Sequence, residues 1–332
     1  MNEIVKQKKK LSITSVRELG LIAIIIILYV IVGLIEPRFF SFRVVMSIML
    51  STPILIIIAL GEMTAIISRN VEVSLGSIMA FSATEGGMIF KANIEFPIVL
   101  VFLVATLVGG ALGLLNGTIV TLFSLPSVIV TLGTMNVYRG LMFVLMDAKQ
   151  IDNMFIPRKL IKLAQPQESI IGVPYIILIS LGVAFLVGFI LNRTKIGREI
   201  YAVGSNPDAA RLRGIGVNKV KLIVFIFAGA CSGFAGMIYM ARVGYVNPVT
   251  TGVGMEFMAV AAAVIGGTSM AGGSGKTLGT VLGCILLGLM MTSISYLGID
   301  GSAQKAMYGF IIIVAVVLEK VIKTKLGKEG RQ

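Results

Sequence analysis

Charged positions along this chain are spaced so that long apolar runs stand between them, and the spacing predicts helices that cross a bilayer. Leu19 to Ile35 is the first run. After the loop EPRFFSFR at 36–43, Val44 to Ile67 forms the second, interrupted by Pro53 and Glu62 and closed by the turn Ser68-Arg69-Asn70. Val71 to Phe90 is the third. Only 12 uncharged residues separate Glu72 from Glu85 there, short of the roughly 20 that a lone span needs, so this element must be shielded from lipid or broken. Phe96 to Tyr138 holds 43 residues without a charge, enough for two spans that turn at Ser124-Leu125-Pro126-Ser127. Beyond the polar stretch Asp147 to Glu168, further runs cover Ile170–Asn192, Leu222–Ala241, Phe257–Gly267, Thr277–Ile299 and Ser302–Leu318. The fold class is all-α integral membrane, a polytopic helical bundle of about ten transmembrane helices.

Composition agrees: 56% of the 332 residues are hydrophobic, mean hydropathy is +0.96 and 14% are charged, which places the chain in the polytopic membrane class. The net charge of +13 resides between apolar runs and not in aromatic-laced patches, so it points to anionic lipid and topology and away from nucleic acid. Basic residues cluster in the N-terminal tail (Lys6, Lys8, Lys9, Lys10, Arg17), in a hydrophilic island at 193–221 and in the C-terminal tail (Lys320, Lys323, Lys325, Lys328, Arg331). With Arg69 and Lys276, these account for 19 of the 29 Lys and Arg residues. Such a bias holds segments on the cytoplasmic side, which predicts a cytoplasmic tail at 1–18, a transmembrane domain at 19–319, and a cytoplasmic tail at 320–332. The first run lacks a small-residue cleavage site after it, so it reads as an uncleaved span. Cys231 and Cys284 lie in apolar stretches and read as buried thiols.

The island is the one long hydrophilic segment between two runs of spanning length. Asn206 can cap a helix that opens with Pro207 and Asp208, Ala209 to Arg213 continue it, and Gly214 can stop it in a left-handed conformation. The helix is roughly two turns, about 10 Å. Asn218 reads as the cap of the next hydrophobic helix. The sequence NPDAARLRGIGVNKVKLIVFIFAGACSGFAG, starting at Asn206, joins RNVEVSLGSI at 69–78, GLLNG at 113–117, LPSVIVTLGTMNVYRG at 125–140 and GMEFMAVAAAVIGGTSMAGGSGKTLGTVLG at 254–283. Together these resemble, from about residue 40 to 319, permeases of ABC importers of the ribose or monosaccharide type, a family that includes autoinducer importers. The resemblance implies a multi-pass protein of the plasma (inner) membrane whose island helix, through Asn206, Pro207, Ala209, Ala210, Arg211, Arg213 and Gly214, docks on a separate ATPase subunit. It further implies an extracytoplasmic substrate-binding protein and a second permease copy or paralogue. Two other readings stand beside it: a branched-chain amino-acid type ABC permease, whose zwitterionic substrate should need fixed charges in the path, and a proton-coupled carrier using Glu62 or Glu85.

The chain contains no histidine, which excludes Ser-His-Asp, Cys-His and His-ligated metal chemistry. No catalytic, cofactor or metal residues are expected. Gly272-Gly273-Ser274-Gly275-Lys276-Thr277 resembles the end of a phosphate-binding loop, but Met270 stands where the motif needs its first glycine. A tight glycine turn at a membrane boundary fits better, so any ATP hydrolysis falls to another polypeptide. Glycines four apart (Gly109, Gly113 and Gly117; Gly229 and Gly233; Gly279 and Gly283) predict close helix packing. The glycine-interrupted stretches SLGS near 76 and IGGTS near 267 suggest discontinuous helices in two halves. Polar groups at membrane depth mark a candidate translocation path: Glu62, Glu85, Asn116, Thr131, Thr134, Asn136 and Arg139. The plain structural alternative is that Glu62 and Arg139 satisfy one another or lie at an interface.

Overall fold

The computed structural model describes residues 13–169 and 172–298, together with positions 306, 309, 310, 313 and 317. In chain order its α-helices are α1 (Ile13–Ile35), α2 (Phe42–Ile67), α3 (Leu75–Ala92), α4 (Ile98–Leu122), α5 (Ser127–Leu145), α6 (Arg158–Lys162), α7 (Tyr175–Arg193), α8 (Lys195–Ser205), α9 (Pro207–Leu212), α10 (Val217–Val243), α11 (Met255–Ile265) and α12 (Thr277–Tyr296). Seven of them, α1, α2, α4, α5, α7, α10 and α12, are long and apolar enough to cross a membrane. The third and eighth expected spans are the shorter α3 and α11, and the tenth, at 302–318, falls almost wholly outside the described residues. The fold is thus a polytopic helical bundle with seven helices of spanning length among the described residues.

The 27-residue α10 is the hub, packing against α2, α3 and α4. Its glycines face those of α4 at the backbone: a methyl on Gly113 would lie 2.2 Å from the Phe225 carbonyl oxygen, and one on Gly109 would lie 2.3 Å from that of Gly229. In lipid, where apolar burial no longer drives association, this intimacy supplies the dispersion contact that holds helices together. The same device joins α11 to α12, where a methyl on Gly283 would meet the Ala262 oxygen at 2.2 Å. At one edge of the bundle, α1 rests on α12 and on the 3₁₀ turn Pro37–Phe40, with Phe39 sealed between Tyr29 and Tyr296.

Two sequence expectations are corrected. Pro53 does not interrupt α2, which is buried from Thr52 to Ile67. The Met49 carbonyl, deprived of the N–H that proline lacks, accepts instead from the Thr52 hydroxyl at 3.2 Å. Asn218 does not cap α10; Gly216 occupies that position, and Asn218 projects from the helix, exposed.

Two elements are discontinuous. Val71 to Ser74 run without regular helix before α3 begins at Leu75, and residues 244–254 run irregularly before α11 begins at Met255. The 11 residues of α11 extend about 16 Å, half the hydrocarbon thickness of about 30 Å. The N-termini of the two helices meet, since a methyl on Gly76 would lie 2.4 Å from the Gly252 oxygen. Irregular backbone at this depth survives only when protein covers it, and Glu72, Ser74, Thr251 and Gly252 are all buried.

Candidate functional site

The hydrophilic island folds as two helices, α8 and α9, where the sequence reading gave one. Thr194 caps α8 by accepting from Gly197 N at 3.2 Å, and Ile200, Val203 and Gly204 form its buried face. This helix is anchored to the bundle. Arg69, held at φ 63° in the turn after α2, donates to the Gly204 and Ser205 carbonyls at 2.6 Å each, placing a cation on the negative end of α8. Tyr201 donates to the Gly275 carbonyl at 2.9 Å, and burial pushes its phenol up, which keeps it a donor. The loop between α11 and α12 closes the arrangement. Gly273 N donates to the last carbonyl of α2, at Ile67, over 2.8 Å, and Gly272 and Gly273 take φ of +81° and +74°. The run resembling a phosphate loop therefore serves as a turn that bonds its own bundle.

α9 is the outermost part of the island. The Asn206 side chain accepts from Asp208 N and Ala209 N at 3.0 and 3.1 Å, with Pro207 at the first position. At the other end, Gly214 adopts φ +78°, with Gly214 N bonded to Arg211 O and Ile215 N to Ala210 O. This doubly bonded left-handed stop satisfies carbonyls that a two-turn helix leaves free. The faces divide cleanly: Ala210 is buried against the bundle, whereas Ala209, Arg211, Arg213 and Gly214 are exposed. Leu212, which sequence reasoning passed over, is 90% exposed.

At membrane depth, four of the seven polar candidates are gathered around the break before α3. Both carboxylate oxygens of Glu62 accept from Glu72 N, at 3.3 and 3.2 Å. Glu72 accepts from the Ser74 hydroxyl and from Asn116 Nδ2 at 2.9 Å, and Asn116 accepts from Tyr138 at 2.7 Å. Ser127 Oγ and Thr131 Oγ1 receive the N–H groups of Val71 and Val73, at 3.0 and 3.1 Å. Side chains of α2 and α5, with Glu72 itself accepting from Ser74 N, thus replace the missing helical ladder of residues 71–74, and Asn116 of α4 holds the Glu72 and Ser74 side chains. Glu62, Asn116 and Thr131 belong to this buried network, and Thr134 bonds back to the Thr131 carbonyl beside it.

The other three lie elsewhere. Glu85 is half-buried farther along α3, and Asn136 is exposed on α5, bonding its own Leu132 carbonyl. Arg139 is partly buried and donates to the Thr251 carbonyl. The expected pairing of Glu62 with Arg139 does not occur. Glu62 accepts from Glu72 N, and Arg139 bonds the Thr251 carbonyl in the irregular stretch before α11. Neither partner was legible, because each belongs to a broken element whose depth no period in the sequence encodes.

Comparisons with known proteins agree with this architecture. A family model described as "Branched-chain amino acid transport system / permease component" matches residues 44–316. The ribose import permease protein of Haemophilus influenzae is 36% identical over 302 residues, 91% of this chain and 92% of that protein. The D-allose transport system permease protein of Escherichia coli is 34% identical over 304 residues, 91% of each chain. The autoinducer 2 import system permease protein of Photorhabdus laumondii is 32% identical over 319 residues, 95% of this chain and 93% of that one. No solved structure matches the chain. With a family match over most of the length and relatives that align over more than 90% of it, the chain belongs to the family of branched-chain amino acid transport system permease components.

Proposed function

We propose that the protein is the transmembrane permease subunit of an ATP-driven ABC importer in the plasma (inner) membrane, and that it translocates a monosaccharide or a related small polar molecule. The observation that carries this reading is the set of relatives named for ribose, D-allose and autoinducer 2, each aligned over more than 90% of this chain. An ATPase subunit, an extracytoplasmic substrate-binding protein and a second permease copy or paralogue complete the importer. ATP is hydrolysed on the ATPase subunit, whose docking surface is α9. The tails and the island are cytoplasmic, in keeping with their basic residues.

The geometry supports a route for coupling. Movement of α9 is carried by α8 to Arg69 and to the turn at Gly272-Gly273, and from there to the broken elements that begin at Leu75 and Met255. A carrier driven by protons has no use for a doubly capped, outward-facing helix that is braced in this way. Of the candidate path residues, Asn136 and Arg139 are assigned to the side facing the permeating molecule, and Glu62, Asn116, Thr131 and Thr134 to the network that holds the break.

The test is Ala209→Glu, which places a charge on the exposed face of α9 without touching the buried Ala210. Membrane insertion is expected to be intact, with loss of both ATPase co-purification and uptake. Normal retention of both by this variant would sink the docking assignment.

A further inference from the structure

Beneath the island, a cavity of about 40 Å³ lies between α2, α7, α8 and α10. Its walls include Thr64 of α2, Ile190 of α7, Ile196 and Ile200 of α8, and Ile223 and Phe227 of α10. Thr64, the polar residue in this lining, spends its hydroxyl on the Gly61 carbonyl at 2.7 Å, so the walls offer water no partner. The cavity is not sealed. Ile190, Ile196, Ile223 and Phe227 are each partly exposed, which leaves a mouth on the flank of the bundle between α7, α8 and α10. Around a membrane protein that flank meets lipid.

One side of this mouth is charged. Arg193 follows Ile190 by three residues at the end of α7, and Lys219 precedes Ile223 by four in the first turn of α10, so each stands one helical turn from a lining residue on the same face of its helix. Both are exposed and form no ion pair among the described residues. Lys195, at the start of α8, is by contrast held 3.7 Å from Glu199. Both unpaired cations lie at the island end of the bundle, where α7 gives way to α8 and α9 to α10. An apolar slot between transmembrane helices, with cations one turn nearer the membrane surface, has the makeup of a site for an anionic phospholipid: the basic residues hold the phosphate and the slot takes the chain.

We infer that an anionic phospholipid binds at this cleft, its phosphate held by Arg193 and Lys219 and one acyl chain entering the cavity beneath α8. The volume admits about three groups the size of a water molecule, hence a short stretch of the chain, and the remainder runs past Phe227 and Ile190 into the bilayer. Lining atoms that face a void lack partners for dispersion, and the chain supplies them. A zwitterionic lipid brings the same chain, but its headgroup carries a cation toward two others. The basic pair therefore selects the headgroup, and the cavity selects a lipid over free phosphate. Once bound, the lipid ties α7 and α10 to α8, the helix that Arg69 anchors. The inference goes beyond the importer reading and needs only that the bundle spans a membrane.

The chain contains no tryptophan, so Phe227→Trp in the full-length protein gives a single fluorescent reporter in the cavity wall, and Ile190→Trp reads the same cavity from α7 if the first variant does not fold. Each is reconstituted in phosphatidylcholine vesicles, and quenching is followed as phosphatidylglycerol or phosphatidylcholine with brominated chains is titrated in. Comparing the two lipids at one reporter cancels the effect of its depth. Half-quenching is expected at about a tenfold lower mole fraction of the brominated phosphatidylglycerol, the order set by two basic residues near the membrane surface. Adding Arg193→Gln and Lys219→Gln should bring the two lipids together. Leu107→Trp, at a position 62% exposed on α4, should be quenched equally by both. Equal quenching by the two lipids at the cavity reporters overturns the site. So does a preference that survives the loss of both cations, or one that Leu107→Trp shows to the same degree.

Discussion

Replacing Gly113 with alanine tests whether backbone contact between α4 and α10 holds the bundle together. The added methyl would lie 2.2 Å from the Phe225 carbonyl oxygen and 2.9 Å from its carbon, both backbone atoms that no rotamer change can move. Ordinary C···O contact begins near 3.3 Å, so the helices must part by about 1 Å. A gap of that size forfeits roughly a quarter to a half of each dispersion contact along the seam, and overpacking of this kind costs about 1–3 kcal/mol. Gly110 supplies the control: it lies three residues away on the same helix, and its nearest neighbours would be 3.7 Å from a new methyl. Cys231 and Cys284, both buried, report unfolding when a thiol-reactive dye is added during heating in detergent. Gly113→Ala should lower the midpoint by about 2–4 °C, and Gly110→Ala should leave it unchanged. Adding Gly109→Ala to Gly113→Ala should cost less than the sum of the two, because one displacement relieves both. Equal losses at Gly110 and Gly113 would refute the reasoning.

Arg69→Gln removes the donors to the Gly204 and Ser205 carbonyls; amide hydrogen exchange in α8 should quicken and uptake should fall, while α9 still binds the ATPase. Retained uptake would mean that α8 does not transmit movement through Arg69. Cysteines introduced at Ser205 and at Asp152 should differ in intact cells, the second labelled by an impermeant thiol reagent and the first protected; labelling at 205 from outside would reverse the proposed orientation. Asn206→Ala should destabilise α9 by about 1 kcal/mol through loss of its cap, read as faster proteolysis at the island without loss of the folded bundle.

What the sequence made legible was local chemistry. The cap at Asn206, the stop at Gly214 and the glycine faces of α4 and α10 each follow from neighbouring residues, and each stands in the structure as expected. The shortage of uncharged residues between Glu72 and Glu85 also foretold that α3 could not span lipid alone. α8 was within reach, because Thr194, Ile196, Ile200 and Val203 have the spacing of a capped amphipathic helix. The density of basic residues in the island masks that period. The bond of Arg139 to the Thr251 carbonyl, and of the Glu72 N–H to Glu62, was not legible. These contacts depend on how deep two irregular segments reach, and that depth is fixed by tertiary partners such as Gly76 and Gly252.

The shielding of α3 bears on how the chain is made. Synthesis proceeds from the N-terminus, and a helix carrying Glu85 and Lys91, entered through Glu72, reaches the membrane well before α10, whose Gly236 lies against its Met79 and Ala83. Lipid is a poor substitute for that cover, given a cost of about 2.5–3.5 kcal/mol for each charge at the centre of a bilayer. α4 and α5 reach α3 first, but its cover is complete only once residues 217–265 have been translated. A nascent chain stalled after α9 would present a glycine-rich, acid-bearing helix without its mate, a ready signal for membrane quality control.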